Sequence, residues 1–206
     1  MTKKILVIAC GALANELARI VRLNRWFAIR LRCLSPELHN RPEEIPPAVR
    51  RQIEESRDQF EQIFVAYGDC GTGGKLDEVL QEYGVERLPG AHCYEFYGGS
   101  ELFTELADEE PGTFYVTDFL TRHFDRLVRK GLGLDQRPEL RDLYFGNYRR
   151  LVFLAQNRDP DLEQLARQHA EFLQLEFCYR YTGAARVEAQ LQEQVICWQQ
   201  RVGTQG

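Results

Sequence analysis

The stretch IFVAYGDCGTGGKLDEVLQEY, residues 63–83, decides the fold because a buried strand leads directly into a helix through a glycine-rich turn. Residues 63–67 form a short apolar run rich in β-formers, which is typical of a strand covered on both faces. Residues 75–83 carry apolar side chains at helical spacing. A strand followed at once by a helix is the building unit of a parallel α/β sheet.

The same unit recurs along the chain. Strands are predicted over residues 4–9, 27–34, 63–67, 85–88, 113–118, 149–157 and 175–183, and helices over 12–23, 75–83, 121–133, 138–148, 157–174 and 184–194, with a further helix starting near Pro46 or Pro47. This alternation predicts an α/β protein with a mainly parallel β-sheet and helices on both faces, a Rossmann-like fold. We expect one domain over residues 1–206, with a division into two similar βα halves near residues 108–112 as the alternative.

Composition narrows the classes of function. The chain has 206 residues, of which 44% are apolar and 28% charged, as in a soluble protein with a sizeable core. Its net charge of -5 argues against nucleic acid as a partner. No apolar run reaches the roughly 18 residues of a membrane span, and residues 4–9 read as a strand rather than a signal peptide. We therefore expect a cytoplasmic protein with no membrane partner.

The glycine-rich turn over residues 68–74 matches neither common phosphate-binding pattern. In the P-loop register, Asp69 stands where the first glycine belongs and Leu76 replaces the magnesium-binding hydroxyl. In the dinucleotide register, Leu76 stands where the third glycine belongs. What remains is a turn whose backbone N–H groups attract an anion or a thiolate. The candidate cofactor-binding residues are the glycines beside the strand-end cysteines: Gly11, Gly71, Gly73 and Gly74.

Three of the six cysteines follow predicted strands. Cys10 comes directly after the first strand, Cys70 follows the third, and Cys93 lies a few residues beyond the fourth. In the common strand order 2-1-3-4 these strand ends are neighbours, so the three thiols can converge. Three thiolates repel one another unless a cation neutralises them, which favours a metal site open to a small-molecule substrate. The site would hold either a [4Fe–4S] cluster with one open iron or a Zn²⁺ ion completed by His92 or water.

Two other functions remain open at this point. In the first, the cysteines are core residues and the turn over residues 68–74 binds a small anion without catalysis. In the second, Cys70 or Cys93 is the nucleophile of an enzyme and His92 is its base. Cys33 and Cys178 are expected in the core because they lie within strands, and Cys197 is expected at the periphery.

The remaining polar candidates have structural explanations. His92 and Glu95 flank Cys93 and are candidates for a ligand and an acid–base pair, although a loop histidine can equally bind backbone. Asp69 is expected to cap the following helix. Four residues end later strands and would hold a substrate or cap helices: Thr117, Asp118, Asn157 and Thr182. The other histidines lack a cysteine or carboxylate pattern and are expected to be structural or exposed: His39, His123 and His169.

The segments IACGAL, YGDCGTGGKL and HCYEFYGG, each with one of the three selected cysteines, resemble domain-of-unknown-function family 1638. The similarity covers most of residues 3–190. The resemblance implies a prokaryotic protein whose relatives are often encoded near corrinoid-dependent methyltransferases. It therefore implies a role in methyl-group or one-carbon metabolism, with proteins of a corrinoid methyltransferase system as partners. The resemblance supplies no catalytic residues.

Overall fold

The computed structural model describes residues 4–183 and residue 189. The predicted last helix, residues 184–194, falls almost wholly outside this range, and Cys197 lies outside it. Residue contacts divide the described chain into two compact units, of which the first contains residues 4–93 and 123–144 and the second contains residues 94–122 and 145–183. The expected single domain over residues 1–206 and the alternative division at 108–112 stay predictions.

The first unit is a four-stranded parallel sheet with its helices. Its strands are β1 (Ile5–Cys10), β2 (Ile29–Leu34), β3 (Gln62–Ala66) and β4 (Glu86–Arg87), and its helices are α1 (Ala14–Leu23), α2 (Ile45–Glu54) and α3 (Lys75–Tyr83). Short 3₁₀ turns cover Gly11–Leu13, Pro36–Asn40 and Pro42–Glu44, and a π-helical turn covers Asp125–Lys130. The strand order is β2-β1-β3-β4, so the predicted order 2-1-3-4 is confirmed.

The sheet of the first unit is held by β1, whose six residues are all buried. Ile5 pairs with Ile29 of β2 on one side and with Gln62 of β3 on the other. The helices cover this strand with the apolar faces that their sequences predict, and Leu17 and Ile20 of α1 are both buried. The carboxyl ends of β1, β3 and β4 therefore lie side by side at one edge of the sheet.

Cys33 is exposed, so the expectation that it lies in the core is wrong. β2 is the edge strand of its sheet and pairs only with β1. Along β2 only Ile29 is buried, and the other five residues are exposed or partly exposed. Alternating apolar and polar residues identify the apolar face of an edge strand. They do not show that a helix or another sheet packs on that face.

The second unit is a three-stranded parallel sheet in the order β5-β6-β7. Its strands are β5 (Thr113–Thr117), β6 (Arg150–Ala155) and β7 (Glu176–Tyr181), and its helices are α4 (Glu95–Glu109), α5 (Asp118–Arg122) and α7 (Pro160–Leu173), while α6 (Leu140–Phe145) ends where this unit resumes. The central strand β6 is buried from Leu151 onward. Cys178 of β7 is partly buried and packs against the cluster that contains Val152 and Leu154, as expected of a core residue.

Two helices differ from the prediction. α4 was not expected, because its first turns contain Gly98 and Gly99, and Gly99 interrupts the helix with a φ of 77°. The single helix predicted over residues 121–133 is instead the end of α5 followed by the π-helical turn. None of the helices in the described part of the chain is long and apolar enough to cross a membrane. The α/β class and the parallel pairing are confirmed.

Candidate metal centre

Neighbouring strands of the first unit bring three thiols to the carboxyl edge of the sheet. Cys10 is the last residue of β1, and its backbone turns at once into the 3₁₀ turn Gly11–Leu13. Cys70 lies in the loop between β3 and α3, and Cys93 lies in the loop that follows β4. The Sγ atoms of Cys70 and Cys93 are 3.1 Å apart. The sequence therefore located these three side chains correctly relative to the sheet.

The nitrogen donor beside the thiols is His39, which the sequence analysis considered structural or exposed. Nδ1 of His39 lies 3.8 Å from Sγ of Cys10. The donor atoms of Cys10, His39 and Cys93 all lie within 4.8 Å of one another. Cys70 joins this group through its contact with Cys93. We call these four residues, Cys10, His39, Cys70 and Cys93, the sulfur–imidazole cluster.

His39 reaches the cluster because β2 neighbours β1. The chain leaves β2 at the same edge of the sheet and forms the 3₁₀ turn Pro36–Asn40, which begins at a Ser35 cap. At the end of this turn, the side chain of Asn40 donates to the backbone oxygen of Leu127 at 2.9 Å. The position of β2 in the order 2-1-3-4 places the turn that follows it at the same sheet edge, but it does not fix the direction in which that turn carries His39.

Gly11 permits the close approach of the turn that carries His39. A Cβ atom at position 11 would stand 2.8 Å from the backbone oxygen of Leu34 and 2.9 Å from Cδ of Pro36. The first of these neighbours is backbone and the second belongs to a rigid ring, so neither can yield easily. The structure thus gives Gly11 a packing role in which its lack of a side chain lets the end of β2 pass over the end of β1.

Backbone hydrogen bonds fix the loops that carry Cys70 and Cys93. The N–H of Asp69 donates to the oxygen of Gly90 at 3.1 Å, and the N–H of Cys70 donates to the oxygen of Ala91 at 2.7 Å. Cys70 itself has a φ of 51°, in the left-handed region that residues other than glycine seldom adopt. Such a backbone persists only where its surroundings enforce it, and it marks Cys70 as a constrained position.

The carboxylate of Asp69 binds the backbone of the glycine-rich turn. It accepts hydrogen bonds from the hydroxyl of Thr72 at 2.7 Å, from the N–H of Gly74 at 2.9 Å and from the N–H of Gly73 at 3.2 Å. Partial burial opposes ionisation, but these hydrogen bonds outweigh it and lower the pKa of Asp69. Asp69 thus organises the start of α3, and two N–H groups that an anion would need are already engaged. Gly71 packs against Pro42.

The three sulfurs of the cluster are buried and electrostatically coupled to the imidazole. Relative exposure is 0% for Cys10, 5% for Cys70 and 3% for Cys93. Hydrogen bonding from Cys93, together with His39, lowers the pKa of Cys10 and of Cys70 against the effect of burial. The same hydrogen bonds and burial raise the pKa of Cys93, which keeps its proton. These shifts favour the ionised form of Cys10 and Cys70 and the protonated form of Cys93.

His39 supplies the positive charge in this arrangement. Burial disfavours its charged form, but hydrogen bonds and charge interactions with Cys10 and Cys70 raise the pKa of His39 to about 10. Without a metal, the imidazolium balances one of the two thiolates and the cluster keeps a net negative charge. A cation that enters would displace the protons of His39 and Cys93.

Tyr67 adds a buried hydroxyl to the edge of the cluster. Its side chain is fully buried, and its ring stacks on that of His39 with centroids 6.4 Å apart. The hydroxyl oxygen has no hydrogen-bond partner among the described residues. Burial, the thiolate charges of Cys10 and Cys70 and an interaction with the sulfur of Cys10 raise the pKa of Tyr67, so the hydroxyl keeps its proton and faces a negative field.

The sulfur–imidazole cluster as defined does not include the other histidine and carboxylate candidates. His92 is exposed, and Glu95 is the partly buried first residue of α4. His169 is buried and its Nε2 lies 3.0 Å from the backbone oxygen of Thr121, a structural role as expected. His123 is partly buried.

The candidates at the strand ends of the second unit are engaged in local hydrogen bonds. Asp118 accepts from the backbone of Gln156 and from the side chain of Asn157. Thr117 accepts from the N–H of Leu120 at the start of α5. The hydroxyl of Thr182 donates to the backbone oxygen of Ala155.

Comparison with known proteins gives one match. A family model described as "Protein of unknown function (DUF1638)" matches residues 33–191. The matched range contains His39, Cys70 and Cys93 and begins after Cys10. No curated protein and no solved structure matches the chain.

Proposed function

The chain belongs to the DUF1638 family of proteins of unknown function, and from this premise we propose that it is a metal-binding α/β protein. The ion is a single thiophilic metal of the Zn²⁺ type, held by the sulfur–imidazole cluster. The observation that carries the proposal is that three donors from separate segments, Cys10, His39 and Cys93, lie within 4.8 Å of one another at one edge of a parallel sheet, and that a fourth donor, Cys70, contacts Cys93. Thiolate and imidazole are the donors that select zinc and other soft or borderline metals.

The sulfur spacing supports a single ion over an iron–sulfur cluster. In a tetrahedral zinc site with Zn–S bonds near 2.3 Å, neighbouring sulfurs are about 3.8 Å apart. The 3.1 Å contact between Cys70 and Cys93 is close to that value, and a modest outward movement of the two thiolates reaches it. In a [4Fe–4S] cluster each cysteine binds its own iron atom, which places the sulfurs farther apart. A [4Fe–4S] cluster is therefore the less favoured cofactor.

Burial determines how a small-molecule substrate would reach the ion. The three sulfurs are buried, whereas His39 is partly exposed and lies on a short turn. We propose that a substrate atom approaches from the side of His39 and takes its place on the ion. A zinc ion at such a position acts as a Lewis acid and lowers the pKa of a bound thiol or water. Methyl transfer and a corrinoid-system partner are extensions of this proposal that rest on the family resemblance, whereas sulfur chemistry is an extension that rests on the affinity of such a metal for sulfur.

The competing functions have less support in the same geometry. A small-anion site in the glycine-rich turn would have to displace Asp69 from Gly73 and Gly74. A nucleophilic cysteine enzyme has suitable thiolates beside an imidazolium, but the three cysteines are only 0–5% exposed, so only a small molecule can reach their sulfurs. Both remain outcomes that the following experiment can reveal.

The test is metal analysis of the full chain purified without oxygen. We expect about one zinc per chain by elemental analysis, and an intense sulfur-to-cobalt charge-transfer band when Co²⁺ replaces it, because several thiolates bind the ion. Cys33→Ser is the matched control, since it removes an exposed cysteine from the same sheet and should leave metal content unchanged.

The iron–sulfur alternative predicts iron, inorganic sulfide and broad visible absorption instead. Protein that contains neither metal, and that gives no thiolate band on titration with Co²⁺, would overturn the proposal. Rapid alkylation of one cluster cysteine in such metal-free protein would then favour the nucleophilic enzyme.

A further inference from the structure

The contact between Cys70 and Cys93 has a second chemical consequence. Their sulfurs are 3.1 Å apart, and a disulfide bond is about 2.05 Å long. The loops on both sides are tied together by the hydrogen bonds from Asp69 to Gly90 and from Cys70 to Ala91. The two thiols are therefore held in contact by their backbones, and bond formation requires a movement of only about 1 Å by the sulfurs.

The other described cysteines are less suited to pair with either residue. The sulfur of Cys10 lies within 4.8 Å of that of Cys93, against 3.1 Å for the sulfur of Cys70, and it accepts a hydrogen bond from the N–H of Ala12 at 3.4 Å and faces His39. Cys33 is exposed on the edge strand β2, and Cys178 packs against the apolar cluster that contains Val152 and Leu154. Of the two, Cys70 has the greater relative exposure, 5% against 3%, so we assign the first reaction with the oxidant to Cys70.

We infer that Cys70 and Cys93 are a reversible oxidation site, at which a hydroperoxide converts the two thiols to a disulfide whenever no metal is bound. The sulfur of Cys70 attacks the terminal oxygen of the peroxide, the O–O bond breaks, and the leaving alkoxide or hydroxide takes a proton. Cys70 is then a sulfenic acid. The sulfur of Cys93 attacks it, the S–O bond breaks, and the hydroxide leaves as water with the proton of Cys93. Two thiols and one hydroperoxide give one disulfide, one alcohol or water, and one water.

This reaction adds redox control to the proposed metal site but does not depend on it. The disulfide removes two of the four donors of the cluster, so the oxidised chain cannot hold the ion as proposed. A bound ion, in turn, occupies both sulfurs and protects them from the peroxide. A dithiol reductant restores the site. The pairing itself rests only on the position of the two sulfurs and their loops.

The experiment uses the full chain, treated with a chelator and then exposed to hydrogen peroxide. Remaining thiols are alkylated, and the chain is digested and analysed by mass spectrometry. We expect a cross-linked peptide pair, lighter by two hydrogen atoms than the sum of its parts, that joins Cys70 to Cys93 and disappears after dithiothreitol. Trypsin can separate the two residues because Lys75 and Arg87 lie between them.

Variants make the assignment specific. In Cys93→Ser, Cys70 should stop at the sulfenic acid, which dimedone traps, and in Cys33→Ser the disulfide should form as in the parent chain. Recovery of Cys70 and Cys93 as separately alkylated thiols, under conditions in which Cys33 is oxidised, would overturn the inference. A disulfide in a chain that never binds metal would support this inference while contradicting the proposed function, so the two failures are distinguishable.

Discussion

At the carboxyl ends of β1, β3 and β4, the chain places three sulfurs beside an imidazole, whereas at the carboxyl ends of β5 and β6 it places a carboxylate and two amides. Both edges are the positions at which open parallel sheets bind ligands. In the second unit, Asp118 accepts from the backbone of Gln156 at 2.9 Å and from the side chain of Asn157 at 2.8 Å. The buried carboxylate has its partners within the protein.

The difference shows how a ligand-binding site can be distinguished from a structural hydrogen-bond network at the same position in two parallel sheets. Around Asp118, donors and acceptors match, so nothing further is needed to satisfy them. Around Cys93, the pKa shifts favour two negative sulfurs against one positive imidazole. The hydroxyl of Tyr67 has no partner within hydrogen-bond distance among the described residues. A cation would neutralise the excess negative charge of this arrangement. The comparison therefore predicts that substitutions at the first edge change metal binding, and that substitutions at the second change stability.

The largest expected effect is on metal affinity in Cys93→Ser. Cys93 contacts Cys70 and lies within 4.8 Å of the donors of Cys10 and His39, so it is central to the cluster. A hydroxyl does not replace a thiolate as a zinc ligand, and the affinity for Zn²⁺ should fall by more than about 100-fold. Competition with a chromophoric chelator measures this affinity. An unchanged affinity in a folded variant would remove Cys93 from the site and would weaken the contrast between the two edges.

The matching substitution in the second unit is Asp118→Ala. It leaves the buried backbone N–H of Gln156 without an acceptor and removes the hydrogen bonds from the exposed Asn157, so the free energy of unfolding should fall by about 2 kcal/mol. Urea unfolding followed by circular dichroism measures this loss. Metal content per folded chain should equal that of the parent. A variant that keeps its stability and loses its metal would reverse the distinction drawn between the two edges.

The pH dependence of metal binding should report the protonation of the cluster. At pH 7, His39 is protonated because its pKa is about 10, and Cys93 keeps its proton because its pKa is raised, whereas the lowered pKa values leave Cys10 and Cys70 as thiolates. Zinc requires a neutral imidazole and deprotonated thiols, so binding should release about two protons. Affinity should therefore rise with pH, by about 100-fold per unit near neutrality.

Calorimetry in two buffers of different ionisation enthalpy counts these protons. Release of about three or more protons on zinc binding would mean that a second cysteine is also a thiol in the metal-free protein. No release, with an affinity that does not change between pH 6 and pH 8, would show that His39 and Cys93 are not both ligands. Cys33→Ser again serves as the control, because its exposed side chain takes no part in the cluster.

The sequence predicts the positions of those cluster residues that lie at or just beyond the ends of apolar strands. Cys10 and Cys70 stand directly after buried apolar runs, and the strand order 2-1-3-4 is the common one, so their convergence could be predicted. His39 could not be found in the same way, because it lies five residues beyond β2 on a turn whose direction depends on the packing of Pro36 over Gly11. Cys33 was misplaced because periodicity identifies a face of a strand but not what covers it.

The smallest predicted effect concerns the hydroxyl of Tyr67. Tyr67→Phe keeps the ring that stacks on His39 and removes a buried donor that faces the sulfurs. Groups that surround metal ligands typically change metal affinity by 10–100-fold, and because this hydroxyl reaches the ligands only through a weak interaction with the sulfur of Cys10, we expect a decrease of about 10-fold. Tyr115→Phe is the control, since it removes another buried hydroxyl from the second unit and should leave the affinity unchanged. Equal effects of the two substitutions would mean that Tyr67 acts only through packing, and that the unpaired hydroxyl at the first edge is no sign of a ligand.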